Sequence, residues 1–218
     1  MRGWAQPATR LDMRAAIYDT ALIPLTASWY RQVLGRLPEG AHLLDVGIGT
    51  GGALCRNAAT LVDKNLRVTG VDIDEDYVSR ARRSVSKRGI ADRVDVRLES
   101  VYDHQGGPYD AVYFSASFML LPDPVAALNH VTGLLTGSGC VYFTQTFQDR
   151  PSPFLERAKP LLKRLTTIDF GQVTYEQDFM ATLEKGGVQL TAMETMGSHG
   201  ARSYRLAVAR PAEGVSAR

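Results

Sequence analysis

The chain has 218 residues, 44% of them apolar and 22% charged, with a formal net charge of +2. That length suits one globular domain with a short appendage, and the near balance of charge gives no reason to expect a polyanionic partner. Cys55 and Cys140 form no C-x-x-C pair and read as reduced, buried side chains of a cytoplasmic protein, while the histidines at 42, 104, 130 and 199 show no H-x-x-x-H spacing, so no metal site is expected.

Met1 to Arg14 carries Arg2, Arg10 and Arg14 but also Asp12, and reads as a surface helix rather than a transit peptide. Ala15 to Tyr30 is interrupted by Asp19 and Pro24, too short and too charged to span a bilayer. From His42 onward, short β-rich runs alternate with helical stretches. Strands are predicted at 42–46, 66–71, 94–98, 110–114 and 141–147, with helices at 51–64, 74–87 (stopped by Gly89) and 124–135 between them. Such alternation predicts a parallel sheet with helices on both faces. Thr174 is expected to cap a helix over 175–185, with Gln177 as its capping-box partner and the glycines at 186 and 187 as its stop. The runs 188–195 and 203–209 then follow one another with only the loop "MGSHGAR" between them, so the last strand is expected to run against the rest. After Pro211 the tail, 212–218, reads as frayed.

One stretch raises a chemical question. "LLDVGIGTGG", residues 43–52, satisfies the G-x-G-x-x-G spacing of dinucleotide loops at Gly47, Gly49 and Gly52. In a dinucleotide fold the residue two before the first glycine is apolar, because it still lies in the buried strand. Here it is Asp45. A buried carboxylate needs a partner, and a ligand ammonium or the N–H groups of the glycine turn would supply one. A short-chain reductase would also carry Tyr-x-x-x-Lys, and no tyrosine here has Lys four residues later.

"LLDVGIGTGG" resembles motif I of the class I S-adenosylmethionine-dependent methyltransferases, and three further segments follow it in order: "VTGVDIDEDY", "RVDVRLESVYD" and "PYDAVYFSASFMLLPDP". The resemblance implies a doubly wound, Rossmann-like α/β fold, a seven-stranded sheet mostly parallel with an antiparallel last strand, plus N-terminal lid helices. It implies S-adenosyl-L-methionine as cofactor and S-adenosyl-L-homocysteine as product. By that resemblance Asp45 orients the loop and the ammonium, and Gly47, Gly49, Thr50 and Gly51 line it. Asp72, about 20 residues beyond Gly52, takes the ribose hydroxyls. Ile73 lies on the adenine face, Ser100 and Val101 at its edge, and Ser115 beside the methyl group. "IYD" at 17–19 is similar to the N-terminal lid of small-molecule members, in which Tyr18 or Tyr30 covers the sulfonium.

The chain is thus divided into a helical lid (1–36), a methyltransferase domain (37–211) with an inserted pocket segment (148–173), and the tail. The Asn/Asp-Pro-Pro-Tyr/Phe motif of nucleic-acid and glutamine methylases is absent; Ser115, Ala116, Ser117 and Phe118 stand there instead. A small-molecule acceptor is therefore expected, in a pocket formed by Tyr30, Ser117, Phe118, Met119, Gln145 and Phe147, on a monomer or homodimer with no nucleic-acid partner and no membrane span. No catalytic base is singled out. Several readings stay open: Asp72 as a helix cap; Tyr18, Trp29 and Tyr30 as the core face of a docking helix; Ser115 and Ser117 as mere loop residues. The face carrying Arg80, Arg83 and Lys87 is either solvated or a nucleic-acid patch, and His104 is either a base or a loop histidine without partner. A protein or RNA methylase, an NAD-binding oxidoreductase and a non-catalytic cofactor-binding module are the rival functions.

Overall fold

The computed structural model describes residues 23–149 and 174–212. Its strands are β1 (His42–Val46), β2 (Arg67–Asp72), β3 (Val94–Leu98), β4 (Tyr109–Ser115), β5 (Leu135–Gln148), β6 (Val188–His199) and β7 (Arg202–Pro211). They form one seven-stranded sheet in the order β3-β2-β1-β4-β5-β7-β6. β1 to β5 pair in parallel, and β7 runs antiparallel to both β5 and β6, so the reversed last strand expected from the sequence is present. β1 lies between β2 and β4, where the order of winding reverses. In open α/β sheets the crevice beyond the strand ends at such a point is where ligands bind.

The described helices are α1 (Ile23–Arg36), α2 (Gly52–Cys55), α3 (Ala58–Asp63), α4 (Glu75–Arg88), α5 (Pro124–Thr132) and α6 (Glu176–Lys185). α4 shows how local chemistry sets their limits. The Asp74 carboxylate accepts from the Tyr77 N–H at 3.0 Å, Glu75 and Asp76 fill the first turn, and Lys87 and Arg88 the last, each complementing the helix dipole. Gly89, at φ 73°, ends it in a left-handed turn open to glycine at little cost.

Alternation along the strands divides the core into two layers. Leu43, Val68 and Tyr113 face one side, where α1 lays down Tyr30, Val33, Leu34 and Leu37 at helical spacing and α4 adds Val78, Ala81 and Val85. Leu44, Val46, Val112, Phe114 and Phe143 face the other, against Leu128 of α5 and Phe179 and Leu183 of α6. Both cysteines are buried and free. Among the described residues no helix is long and apolar enough to cross a membrane.

Several boundaries differ from expectation for identifiable reasons. The helix predicted over 51–64 is broken in two at Arg56 and Asn57, where the Asn57 amide donates to the carbonyls of Ala53 and Ala27, both at 2.9 Å, and so ties the break to α1. The helix after Pro124 ends at Thr132, which frees Leu135 to pair with Tyr109 and starts β5 well before Val141. Thr174 does not cap α6. Its N-cap is Tyr175, whose side chain makes no capping bond, and the Thr174 hydroxyl accepts from Gln145 instead. The hairpin loop contracts to Gly200 and Ala201, as β6 and β7 pair as far as His199 and Arg202.

Two expected pocket residues belong to the core. Phe118 opens a 3₁₀ turn (Phe118–Leu120) and is fully buried, its ring 5.2 Å from Phe114, 4.8 Å from Phe143 and 6.0 Å from Phe179. Phe147 falls on the same face of β5 as Phe143 and packs edge-on against Phe179 at 5.3 Å. Edge-to-face clusters of this kind add to simple area burial. Phe118→Ala should therefore cost about 3–5 kcal/mol of unfolding free energy, as is usual for a buried aromatic. Denaturant unfolding checks it; a variant of unchanged stability with altered acceptor choice would return Phe118 to the pocket.

Candidate functional site

β1 ends at Val46, and the chain turns through Gly47, Gly49 and Gly51, at φ 78°, 58° and 68°. The turn is pinned on two sides. The N–H groups of Gly47 and Ile48 both donate to the Val71 carbonyl, at 2.8 and 3.3 Å, and the Gly49 N–H donates to Asp72 Oδ2 at 2.9 Å. On the β4 side, the Ser117 hydroxyl donates to the Val46 carbonyl at 2.6 Å. A Cβ on Gly47 would lie 2.9 Å from the Ser117 Cβ, on top of the strain of its positive φ, so any larger residue there displaces the turn. Ser117 thus has a structural duty, holding the tips of β1 and β4 together. Thr50 is buried within the turn.

Asp45 has no solvent exposure at all. Its Oδ2 accepts from the Tyr30 hydroxyl of α1 at 2.7 Å, and its Oδ1 has no partner among the described residues. Burial holds the carboxyl up at about 7; the Tyr30 hydrogen bond opposes the rise and the charge of Asp72 adds to it. Tyr30 is itself fixed edge-on against Tyr113 of β4 at 5.0 Å, and the Tyr113 hydroxyl is hydrogen-bonded to Thr144 of β5 at 2.8 Å. Trp29 packs on Tyr204 of β7 at 5.9 Å. Trp29 and Tyr30 thus form the core face of a docking helix, the alternative that the sequence left open. The Tyr30–Asp45 bond was missed; its signal is the 30, 33, 34, 37 stripe, which turns Tyr30 inward beside an acid at a strand tip.

Asp72 closes β2. Its Oδ1 accepts from the Asp74 N–H at 3.0 Å while Oδ2 holds Gly49, and burial raises its pKa against those two bonds. The cap of α4 is Asp74, not Asp72. Beside Asp72 two apolar side chains stand in the open, Ile73 at 78% and Leu98 at 48% exposure, Leu98 directly opposite Asp72 in the β2–β3 register. Val101 is buried in the core layer of Leu44 and Phe114, and the Ser100 hydroxyl accepts from the Tyr102 N–H at 3.3 Å. Ser115 ends β4 opposite Thr144 of β5.

The structure does not gather all the expected residues. Phe118 and Phe147 are core, Met119 packs against that core, and Gln145 is buried with its amide N–H on Thr174 and its Oε1 unpartnered. Tyr18 and residues 150–173 of the pocket segment lie outside the described residues. His104 is not a histidine without partner. It is fully buried, with Nδ1 on Glu99, Nε2 2.8 Å from the Tyr109 hydroxyl, and its carbonyl accepting from His130 at 2.7 Å. Both ring nitrogens are occupied, which removes it as a base. Among the described residues no group of three or more His, Cys, Asp or Glu is placed to hold a metal ion. An apolar groove between α6 and β6, lined by Met180, Leu183, Val188 and Leu190, lies at the far edge of the sheet from the glycine turn.

Residues 44–141 match the family model of a methyltransferase domain. The chain is 32% identical over 156 residues to aklanonic acid methyltransferase DauC of Streptomyces sp. (strain C5), covering 69% of this chain and 70% of that protein. Over 75 residues it is 39% identical to a probable cobalt-precorrin-6B C(15)-methyltransferase (decarboxylating) of Pyrobaculum calidifontis, spanning 33% of this chain and 38% of that protein's length. Among solved structures, mitomycin 7-O-methyltransferase MmcR is similar with a TM-score of 0.69 at 21% identity, over 92% of this chain and 58% of that one, a likeness of fold.

The buried acid gives a signed expectation. Asp45 titrates at about 7 in the folded protein against 3.8 for an ordinary aspartate, so between those values the folded state holds the proton more tightly than the unfolded chain does. The ligand-free protein should lose stability as pH rises through that window. Asp45→Asn keeps an acceptor for Tyr30 but cannot ionise. Its stability relative to wild type should therefore improve steadily from pH 4 to about 7 and then level off. Denaturant unfolding across pH measures it, and a difference that stays flat would show that Asp45 is ionised throughout.

Proposed function

This chain belongs to the S-adenosylmethionine-dependent methyltransferases, and from that premise we propose that it moves a methyl group to an oxygen, nitrogen or sulfur atom of a small molecule. The observation that carries the site is the unpartnered Oδ1 of Asp45, buried two residues before the glycine turn. A cationic ligand group is its natural complement, because an ionised carboxylate left alone in the interior costs several kcal/mol. The methionine ammonium of the cofactor is such a group.

The remaining residues fit the rest of that molecule. Gly47, Gly49, Thr50 and Gly51 would lie along its methionine part, on a turn whose three glycines take positive φ. Asp72 would take the ribose hydroxyls: each of its oxygens already accepts one N–H, and a carboxylate has about four acceptor sites, so two remain. Exposed Ile73 and Leu98 offer apolar cover for the adenine, with Ser100 and Val101 at its edge. Ser115 would stand by the methyl group, and Tyr18 remains a proposed lid contact, with residues 1–36 as the lid.

When bound, S-adenosylmethionine supplies a sulfonium methyl: the acceptor's lone pair forms the new bond to carbon, the C–S electrons return to sulfur, and a hydroxyl or amine acceptor releases its proton. What the chain contributes is alignment. Effective molarity from such alignment is worth up to about 7–11 kcal/mol. A small acceptor is supported by the likeness to a relative named for aklanonic acid. Of the expected acceptor contacts, Met119 and Gln145 are retained, and the free Gln145 Oε1 would accept from a donor on the acceptor molecule. A monomer or homodimer in a reducing, cytoplasmic setting suits the two free, buried thiols, whose pKa values burial raises.

The purified protein should bind S-adenosylhomocysteine at micromolar concentration and show no saturable binding of NAD(H) in calorimetry; the reverse pattern overturns the reading. Asp72→Ala should weaken S-adenosylhomocysteine binding by about 1.5–3 kcal/mol, the usual loss for a charged hydrogen-bond acceptor. Unchanged affinity with a lowered melting temperature would make Asp72 a loop fastener alone. A product screen against phenols, amines, thiols and carboxylic acids, with RNA and peptide controls, tests the acceptor class. Turnover confined to RNA or protein would replace it.

A further inference from the structure

Tyr30 comes to the glycine turn from outside the sheet. It belongs to α1, yet its hydroxyl ends on the carboxyl at the tip of β1, and its ring is held edge-on by Tyr113. Among the described residues the groups that face Asp45 are Tyr30 from α1, Tyr113 from β4 and Asp72 from β2, two phenols and a second acid. None is a cation. Because Tyr30 donates to Oδ2, the oxygen left for a ligand is Oδ1.

We infer that Tyr30 is a positioning residue: by holding Asp45 Oδ2 it presents Oδ1 to the ammonium of the cofactor, and cofactor loading expels one proton from the Asp45 carboxyl. This rests on the cofactor reading of the glycine turn and goes beyond it by naming a residue and a proton. The balance is simple. With Oδ2 accepting the Tyr30 hydrogen, the proton of the neutral carboxyl sits on Oδ1. It must leave for bulk buffer before an ammonium N–H can donate there, and nothing is oxidised or reduced. The neutral form persists up to about pH 7 in the free protein because burial disfavours the charge. Below that pH the ligand must displace the proton, so affinity should rise with pH and level off above it, at most about tenfold per unit. Removal of the Tyr30 hydroxyl takes away a donor that favours the ionised acid. The midpoint of the rise should then move to higher pH.

The test is calorimetry of S-adenosylhomocysteine binding from pH 5.5 to 8.5, in buffers of different ionisation enthalpy, on wild type and Tyr30→Phe. 5′-Methylthioadenosine, which keeps the nucleoside but has neither ammonium nor carboxylate, is the second probe. Expected for wild type is release of up to one proton per S-adenosylhomocysteine near pH 6, falling toward zero near pH 8, and none for methylthioadenosine. Expected for Tyr30→Phe is a midpoint shifted upward, about tenfold weaker S-adenosylhomocysteine binding at pH 7 and unchanged methylthioadenosine binding. A merely structural tyrosine would weaken both probes alike and leave the midpoint in place. That result, or wild-type binding without proton release, overturns the inference while leaving the cofactor reading intact. Failure of the wild type to bind either probe overturns the cofactor reading, and the inference with it.

Discussion

A carboxylate sealed in the interior with only one of its oxygens filled is the constraint on which the site depends. Asp45 sits in the register of β1 between Gly70 of β2 and Tyr113 of β4, where a strand residue is ordinarily apolar. A single neutral donor does not offset the desolvation of a charge, which is why its pKa remains near 7 despite the 2.7 Å bond from Tyr30. The fold is arranged around that one bond. Tyr30 reaches Asp45 because α1 lies on the face of the sheet that Leu43 and Tyr113 also line, and Tyr113 is in turn fixed by Thr144. One helix and three strands are thereby placed relative to a single oxygen atom.

Asp72 shows the opposite solution to the same problem. It too is raised by burial, but each of its oxygens accepts a backbone N–H, from Gly49 and from Asp74. Those bonds set the path of the glycine turn, since Gly49 approaches the β2 tip only with its positive φ. The charge of Asp72 adds to the proton affinity of Asp45 on the adjacent parallel strand, and a cation held at Asp45 would relieve that repulsion as well as the desolvation.

Legibility in the sequence followed how local the cause was. β1 and β3 begin and end where the apolar runs do, and α4 where its acidic cap and terminal glycine put it. The glycine turn and Asp45 are marked by local spacing, and Asp72 by the resemblance of its segment to the methyltransferase family. What escaped depends on contacts distant in sequence. Asn57 breaks a helix by reaching back to Ala27, and Leu135 extends β5 by pairing with Tyr109. Phe118 and Phe147 were expected in the pocket, yet contact with Phe179 of α6 draws both inward, Phe118 from a 3₁₀ turn and Phe147 from the alternation of β5. The Tyr30–Asp45 bond joins residues 15 apart through the tertiary placement of α1, which no local pattern states.

The same distinction separates the two halves of the proposed site. The proposed cofactor contacts stand at turns and strand tips. Gln145, a proposed acceptor contact, stands near the end of β5, where β7 begins. There Arg205 ties Asp149 at 2.8 Å to Glu176 at 2.7 Å, with its guanidinium 5.1 Å from the Phe147 ring, and Ser203 bonds Asp149 as well. With both carboxylates partly exposed, each pair is worth only about 0.2–1 kcal/mol, too little to be the reason for the arrangement. Its effect is geometric: the end of β5 and the start of α6 are held together across the point where residues 150–173 leave and rejoin the described structure. Gln145 and Thr174, bonded to one another beside that clamp, tie the same two segments.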